Sequence, residues 1–212
     1  MIEIKTFVCN MLQENCYVVS DPTGEAVIID CGVLYDEERL AIVNYMKAEE
    51  LKPVRLLCTH GHFDHNLGNA GMWREYGLKP EVAEEDLPLT DLRKQMEEML
   101  GTSYPCTSIT PGRILADGEK IRFGSHELEV LHTPGHTRGS VTFYCAEEHV
   151  AFTGDTLFRM SIGRTDFAGG SWSDMQKSLK LLAELPGETI VYPGHGGATT
   201  IGYEKRYNPY MR

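Results

Sequence analysis

The chain has 212 residues, 42% of them hydrophobic, with 21 glycines; this composition supports a sizeable globular core and excludes the disordered class. Lys plus Arg number 20 against 31 for Asp plus Glu, a formal charge of −11. That balance argues against a nucleic-acid partner, because a phosphate backbone needs clustered cations, and against an anionic membrane surface.

The opening segment MIEIKTFVCN carries an acid at position 3 and does not read as a secretory signal. No run approaches the roughly 18 apolar residues of a membrane span, so the expected setting is the cytoplasm. Strand-like runs follow at 2–8, 16–20 and 26–29, with Asp21-Pro22-Thr23-Gly24 as hairpin-turn chemistry between the last two. Residues 36–51 read as a helix ended by Pro53, and 54–58 as a buried strand running into a histidine cluster. Helical patterns at 66–76 (with Gly77 as C-cap) and 86–100 flank a short strand at 81–83. The second half offers strands at 120–123, 127–131, 140–145 and 149–153, an amphipathic helix at 172–185 and a last strand at 189–192. Strands followed by helices in each half predict an α/β layered arrangement, expected as a single domain over 1–212. The six cysteines are scattered without a C-x-x-C pair and read as small buried thiols in a reducing compartment.

Eight histidines are present, and three of them fall within six residues, in Thr59-His60-Gly61-His62-Phe63-Asp64-His65. His60 and His62, two apart in an extended loop, point the same way. Asp64 and His65, adjacent near a helix start, can turn toward a second point. One loop can thus offer two ligands to each of two metals, and imidazole with carboxylate suits zinc, iron or manganese. Further ligand-type residues stand after small residues at strand ends: His136 in Thr133-Pro134-Gly135-His136, Asp155 in Thr153-Gly154-Asp155, and His195 in Pro193-Gly194-His195.

This ordered set, H-x-H-x-D-H, a lone His, an Asp after Thr-Gly and a late Gly-His, resembles the metallo-β-lactamase superfamily. The resemblance runs from the opening strands to near the C-terminus. It implies a four-layer αββα sandwich with the metal site at one edge between the two sheets. It also implies His60, His62 and His136 on one metal, Asp64, His65 and His195 on a second, and Asp155 bridging them. Asp30, in Ile29-Asp30-Cys31-Gly32, matches a family aspartate that orients a ligand histidine. Ser161-Ile162-Gly163-Arg164-Thr165-Asp166 and Pro193-Gly194-His195-Gly196-Gly197 are similar to the compact glyoxalase II-like hydrolases. The larger enzymes of that group bind glutathione through an added C-terminal helical region, and this chain ends soon after His195, so the thiol is left unspecified.

The resemblance implies a dinuclear hydrolase of a hydroxyacyl thioester such as S-D-lactoylglutathione, with Asp64 and Asp155 as its catalytic carboxylates and zinc as its metal. Its alternatives are a mononuclear iron persulfide dioxygenase, which would use His60, His136 and Asp155, and a non-catalytic metal-binding protein on the same scaffold. A secreted β-lactamase and a nuclease fit less well with the N-terminus and with the charge. A small-molecule substrate is therefore expected. Arg138, Tyr203, Lys205 and Arg206 are candidate contacts for an anionic substrate tail. Arg164 and Asp166 are expected to pair and brace the loop after Asp155. His132 reads as a loop residue, His126 and His149 as surface positions beside Glu127 and Glu148, and Trp73 and Trp172 as helix-packing residues.

Overall fold

The computed structural model describes residues 1–102 and 105–212. The first six strands, β1 (Glu3–Cys9), β2 (Glu14–Ser20), β3 (Glu25–Ile29), β4 (Lys52–Leu57), β5 (Pro80–Ala83) and β6 (Arg113–Leu115), form one sheet in chain order. It begins with two antiparallel pairings and continues with three parallel ones. The second sheet contains β7 (Lys120–Phe123), β8 (His126–His132), β9 (Val141–Cys145), β10 (Val150–Gly154), β13 (Ile190–Pro193) and β14 (Thr199–Thr200). Its order is β14-β13-β10-β9-β8-β7, with β10 and β13 parallel. A small ribbon, β11 (Leu157–Phe158) with β12 (Ser161–Ile162), leaves the end of β10. The helices are α1 (Asp36–Ala48), α2 (Asn69–Tyr76), α3 (Leu92–Leu100), α4 (Trp172–Ala183) and α5 (Ile201–Tyr207).

Strand periodicity sets the layering. On β2 and β3, Tyr17, Val19, Val27 and Ile29 face the second sheet, joining Phe123, Val130, Phe143 and Phe152. Their neighbours Cys16, Val18, Ala26 and Ile28 face the other way, against Ile42 and Met46 of α1 and Met72 of α2. A third core packs Met175, Leu179 and Leu182 of α4 against Val191 of β13 and Ile201 of α5. Two sheets face to face with helices outside each give the α/β metallo-β-lactamase fold, as the sequence implies. Each buried aromatic or branched side chain adds about 1.5–3 kcal/mol of transfer energy, so the central core alone is a large share of what holds the sheets together.

Several boundaries differ from the sequence reading for local reasons. The 86–100 helix is two pieces: a 3₁₀ segment, Glu84–Thr90, containing Pro88, and then α3, whose N-terminus Asp91 caps by accepting from the Lys94 amide at 3.1 Å. The helix expected from 66 starts at Asn69, because Phe63–His65 takes a separate 3₁₀ turn that Asn66 closes. His126 is not a surface residue. It is buried at 5% exposure, with Nδ1 against Asp21 Oδ2 at 2.5 Å and Nε2 against Glu148 Oε1 at 3.0 Å, and it ties the β2–β3 turn to the second sheet. His149 is exposed, as expected. Trp73 and Trp172 are only half-covered, at 46% and 43% exposure; Trp172 packs edge-on to Tyr210. Among the described residues, no helix is long and apolar enough to cross a membrane.

Candidate metal centre

The histidine cluster sits where β4 ends at the edge of the first sheet. Its neighbours come from the C-terminal ends of β8, β10 and β13 in the second sheet. Strand ends from two sheets thus deliver His60, His62, Asp64, His65, His136, Asp155 and His195 to one cleft. Six of the seven side chains are buried to about a tenth exposure or less; His195 keeps 26%.

They fall into two sets. The ligand atoms of His60, His62 and His136 lie within 4.8 Å of one another, and so do those of Asp64, His65 and His195. Asp155 stands between the sets: Oδ2 is 3.4 Å from His136 Nε2, and Oδ1 is 3.4 Å from His65 Nε2. Asp64 Oδ2 is 3.3 Å from His195 Nε2 and 3.7 Å from His65 Nε2.

The outer ring nitrogens fix which inner nitrogen is free. His65 Nδ1 is 2.9 Å from Asp30 Oδ2, His136 Nδ1 is 2.7 Å from the Arg164 carbonyl, and His195 Nδ1 is 3.1 Å from the Leu12 carbonyl. The Thr59 hydroxyl donates to Asp30 Oδ2 at 2.7 Å, so it accepts from His60 Nδ1 at 3.1 Å. Each contact places a proton on Nδ1, so in the neutral ring the Nε2 lone pair faces the cleft. His62 uses its other nitrogen, Nδ1, 2.8 Å from His136 Nε2.

A divalent cation fits this chemistry. His60 Nε2, His65 Nε2 and Asp155 Oδ1 are buried without a hydrogen-bond partner, which is costly unless something else engages them. Two carboxylates and five imidazoles converge there with, among the described residues, no Lys or Arg side chain in contact, and buried carboxylates require a counter-charge. The electrostatics agree. Burial holds the His60 imidazole well below its ordinary range and lowers His62 to about 4, so both are neutral donors. Burial also opposes charge on His65 and His195, but Asp64 and Asp155 outweigh it and raise both. His65 and His195 hold the Asp64 carboxyl low against its burial, and His65, His136 and His60 do so for Asp155.

Asp30 sits where the sequence places it, and its backbone adopts φ +50°. Its Oδ1 accepts from the Thr59 amide at 2.7 Å, which makes it the hub of the His60 and His65 orientation. Arg164 and Asp166 pair at 2.8–2.9 Å. The Arg164 guanidinium stacks 4.2 Å from the Phe167 ring, which in turn meets His62 and His136 edge-on. His132 Nε2 engages the Arg138 carbonyl and braces the His136 loop. The candidate substrate contacts are exposed and face other partners. Lys205 reaches the Ala183 carbonyl, Arg206 lies over Tyr207, and Tyr203 packs on Tyr207 under Arg159. The Arg138 side chain is exposed beside Gly169.

Four buried residues escaped the sequence reading. Asp86 and Gln95 hold the His60-Gly61-His62 loop. Glu14 lies fully buried with Oε1 3.9 Å from His65 Nδ1, and burial pushes its carboxyl well above the usual range. Asn10 Nδ2 bonds the Asp64 carbonyl at 2.9 Å. None sits in a motif, and each acts across the fold rather than along the chain.

A sequence profile of the metallo-β-lactamase superfamily matches residues 9–195. A hydroxyacylglutathione hydrolase, GloC, from Haemophilus influenzae is 34% identical over 94% of this chain and 93% of its own length. The crystal structure of the B3 metallo-β-lactamase BLEG-1 superposes with a TM-score of 0.90 at 33% identity, covering 99% of each chain. That of TTHA1623 in a di-iron-bound form gives 0.86 at 38%, covering 97% of this chain and 99% of that one. With the fold, the clustered donors and these likenesses together, the chain belongs to the metallo-β-lactamase superfamily.

Proposed function

We propose that the protein is a dinuclear metal-dependent hydrolase of a hydroxyacyl thioester, with S-D-lactoylglutathione as the representative substrate. The observation that carries the reading is the pair of complete ligand sets joined by Asp155. His60, His62 and His136 would hold one ion, Asp64, His65 and His195 the other, with Asp155 shared, and zinc is the proposed metal. The likeness to GloC supports the thioester, and the di-iron form of TTHA1623 supports a two-metal centre in this fold.

When bound, two divalent ions would supply Lewis acidity that polarises a carbonyl and lowers the pKa of water. The chain supplies the rest. Asp30 keeps the proton of His65 on Nδ1, and the Arg164 and Leu12 carbonyls do the same for His136 and His195. Asp64 and Asp155 bring two negative charges that would hold the cations. A thiolate leaves with a conjugate-acid pKa of about 8.5, so the site needs neither a strong general acid nor a nucleophilic side chain.

The likeness to BLEG-1 favours a second reading, hydrolysis of a β-lactam, which shares the attack on a carbonyl. A parallel assay with S-D-lactoylglutathione and a chromogenic cephalosporin separates them; thioester turnover with negligible cephalosporin turnover is expected. Asp155→Ala should leave at most one ion per chain and lower turnover at least ~100-fold, since even the outer partners of metal ligands are worth ~10–100-fold. Full activity with two ions retained overturns the assignment.

A further inference from the structure

We infer that Asp86 is a positioning residue for the first metal set alone, a buried bracket that locks the His60–His62 loop to the His136 loop. The inference rests on the metal-binding reading above.

Asp86 sits in the 3₁₀ segment after β5, at 1% exposure. Its carboxylate accepts three hydrogen bonds. Oδ2 receives the Gly61 amide at 2.8 Å and the Thr137 hydroxyl at 2.7 Å; Oδ1 receives the Gly139 amide at 2.8 Å. Gly61 lies between His60 and His62, and Thr137 directly follows His136. One carboxylate therefore fixes backbone or side chain next to all three members of a single set. Charge-assisted bonds of this kind are roughly twice as strong as neutral ones.

The packing leaves no slack. A Cβ on Gly139 would stand 2.7 Å from Asp86 Cγ, and a Cβ on Gly61 would stand 2.7 Å from Leu89 Cβ and 3.1 Å from the Asp86 carbonyl. Gln95, on α3, grips the same loop from its other side. Its Nε2 donates to the Gly61 carbonyl at 2.9 Å, and its Oε1 accepts from the Phe63 amide at 3.2 Å. The second set is braced from elsewhere: Asn10 at the Asp64 carbonyl, Asp30 at His65, and the Leu12 carbonyl at His195. Asp30 also reaches His60 through Thr59, but among the described residues the Asp86 carboxylate bonds only Gly61, Thr137 and Gly139, so the affinity of the first set should change without that of the second.

Asp86→Asn keeps the shape but places an NH₂ against N–H or O–H donors, so at least one of the three bonds is lost. Zinc binding is measured by competition with a chromophoric chelator in two backgrounds. In His195→Ala, where only the first set is complete, Asp86→Asn should weaken zinc binding by ~10-fold or more. In His136→Ala, where only the second set is complete, it should change binding less than about twofold. Thr137→Val removes one of the three bonds with little change of volume, and should give a smaller loss in the same background only; it carries the test if Asp86→Asn does not fold. Equal weakening in both backgrounds, or none in either, overturns the inference, since a merely structural residue would not distinguish the sets. A His195→Ala chain that takes up no zinc refutes the metal reading itself, and this inference with it.

Discussion

Asp30→Asn tests how the protein selects the ligating nitrogen of His65. In the structure Oδ1 accepts from the Thr59 amide at 2.7 Å, while Oδ2 accepts from the Thr59 hydroxyl at 2.7 Å and from His65 Nδ1 at 2.9 Å. The backbone amide cannot reverse, so the carboxamide oxygen of the variant stays on Thr59 and its NH₂ occupies the Oδ2 position. There it faces the proton on His65 Nδ1. The conflict is relieved when that proton moves to Nε2, the atom that points at Asp64 and Asp155. An imidazole protonated on Nε2 cannot donate to a metal through it. The backbone itself tolerates the change, because Asn adopts φ near +50° more readily than other non-glycine residues. Zinc affinity of the second set should therefore fall ~10–100-fold, or ~1.4–2.8 kcal/mol, with the fold retained. Competition titration reads the affinity, and ¹⁵N chemical shifts of His65 in the zinc-loaded protein read the tautomer. Unchanged affinity, with His65 still protonated on Nδ1, would show that Asp30 does not select the ligating nitrogen.

Other outcomes follow from particular contacts. A Cβ on Gly194 would overlap Asp155 Oδ1 and stand 2.6 Å from His65 Cε1. Gly194→Ala should thus cost ~1–3 kcal/mol of strain at the ligands, lowering metal content by mass spectrometry. Gly187→Ala, whose nearest neighbour is 3.6 Å away, should change nothing. Burial opposes the charge on His126, but its bonds to Asp21 and Glu148 raise it overall. Burial likewise opposes ionisation of Asp21, but bonds from Thr23, His126 and Ser125 hold its carboxyl far below the ordinary range. The His126 contribution is therefore complete below its unfolded pKa of about 6.5 and fades as pH rises through the higher folded value; the Asp21 contribution fades only in strong acid. His126→Gln should lower the Tm by roughly 5 °C near pH 5–6, and by less at pH 9, in thermal melts; an equal loss at both values would contradict the assignment.

The clustered donor side chains were legible because the sequence places them in short local patterns at strand ends, where a Gly or Pro turn frees the side chain from the sheet. His60, His62, Asp64 and His65 need only six residues of chain to declare themselves, and the resemblance then assigns His136, Asp155 and His195. The brackets were not legible. Asp86 meets Gly61 across 25 residues and Gly139 across 53, and in the sequence it is one acid among three at the start of a polar segment. His126 misled for a related reason. Its neighbour Glu127 is only partly buried on the other face of β8, while the partner that buries it, Asp21, is 105 residues away. Alternation along a strand determines which side chain turns inward, but only the packed sheets determine what meets it there.

The proposed chemistry requires two metals acting together on a thioester. Its most direct test adds zinc stepwise to the metal-stripped protein while thiol release from S-D-lactoylglutathione is followed. Little turnover is expected at one equivalent per chain and full turnover at two. Maximal turnover at a single equivalent, or no thiol release at two, would contradict it.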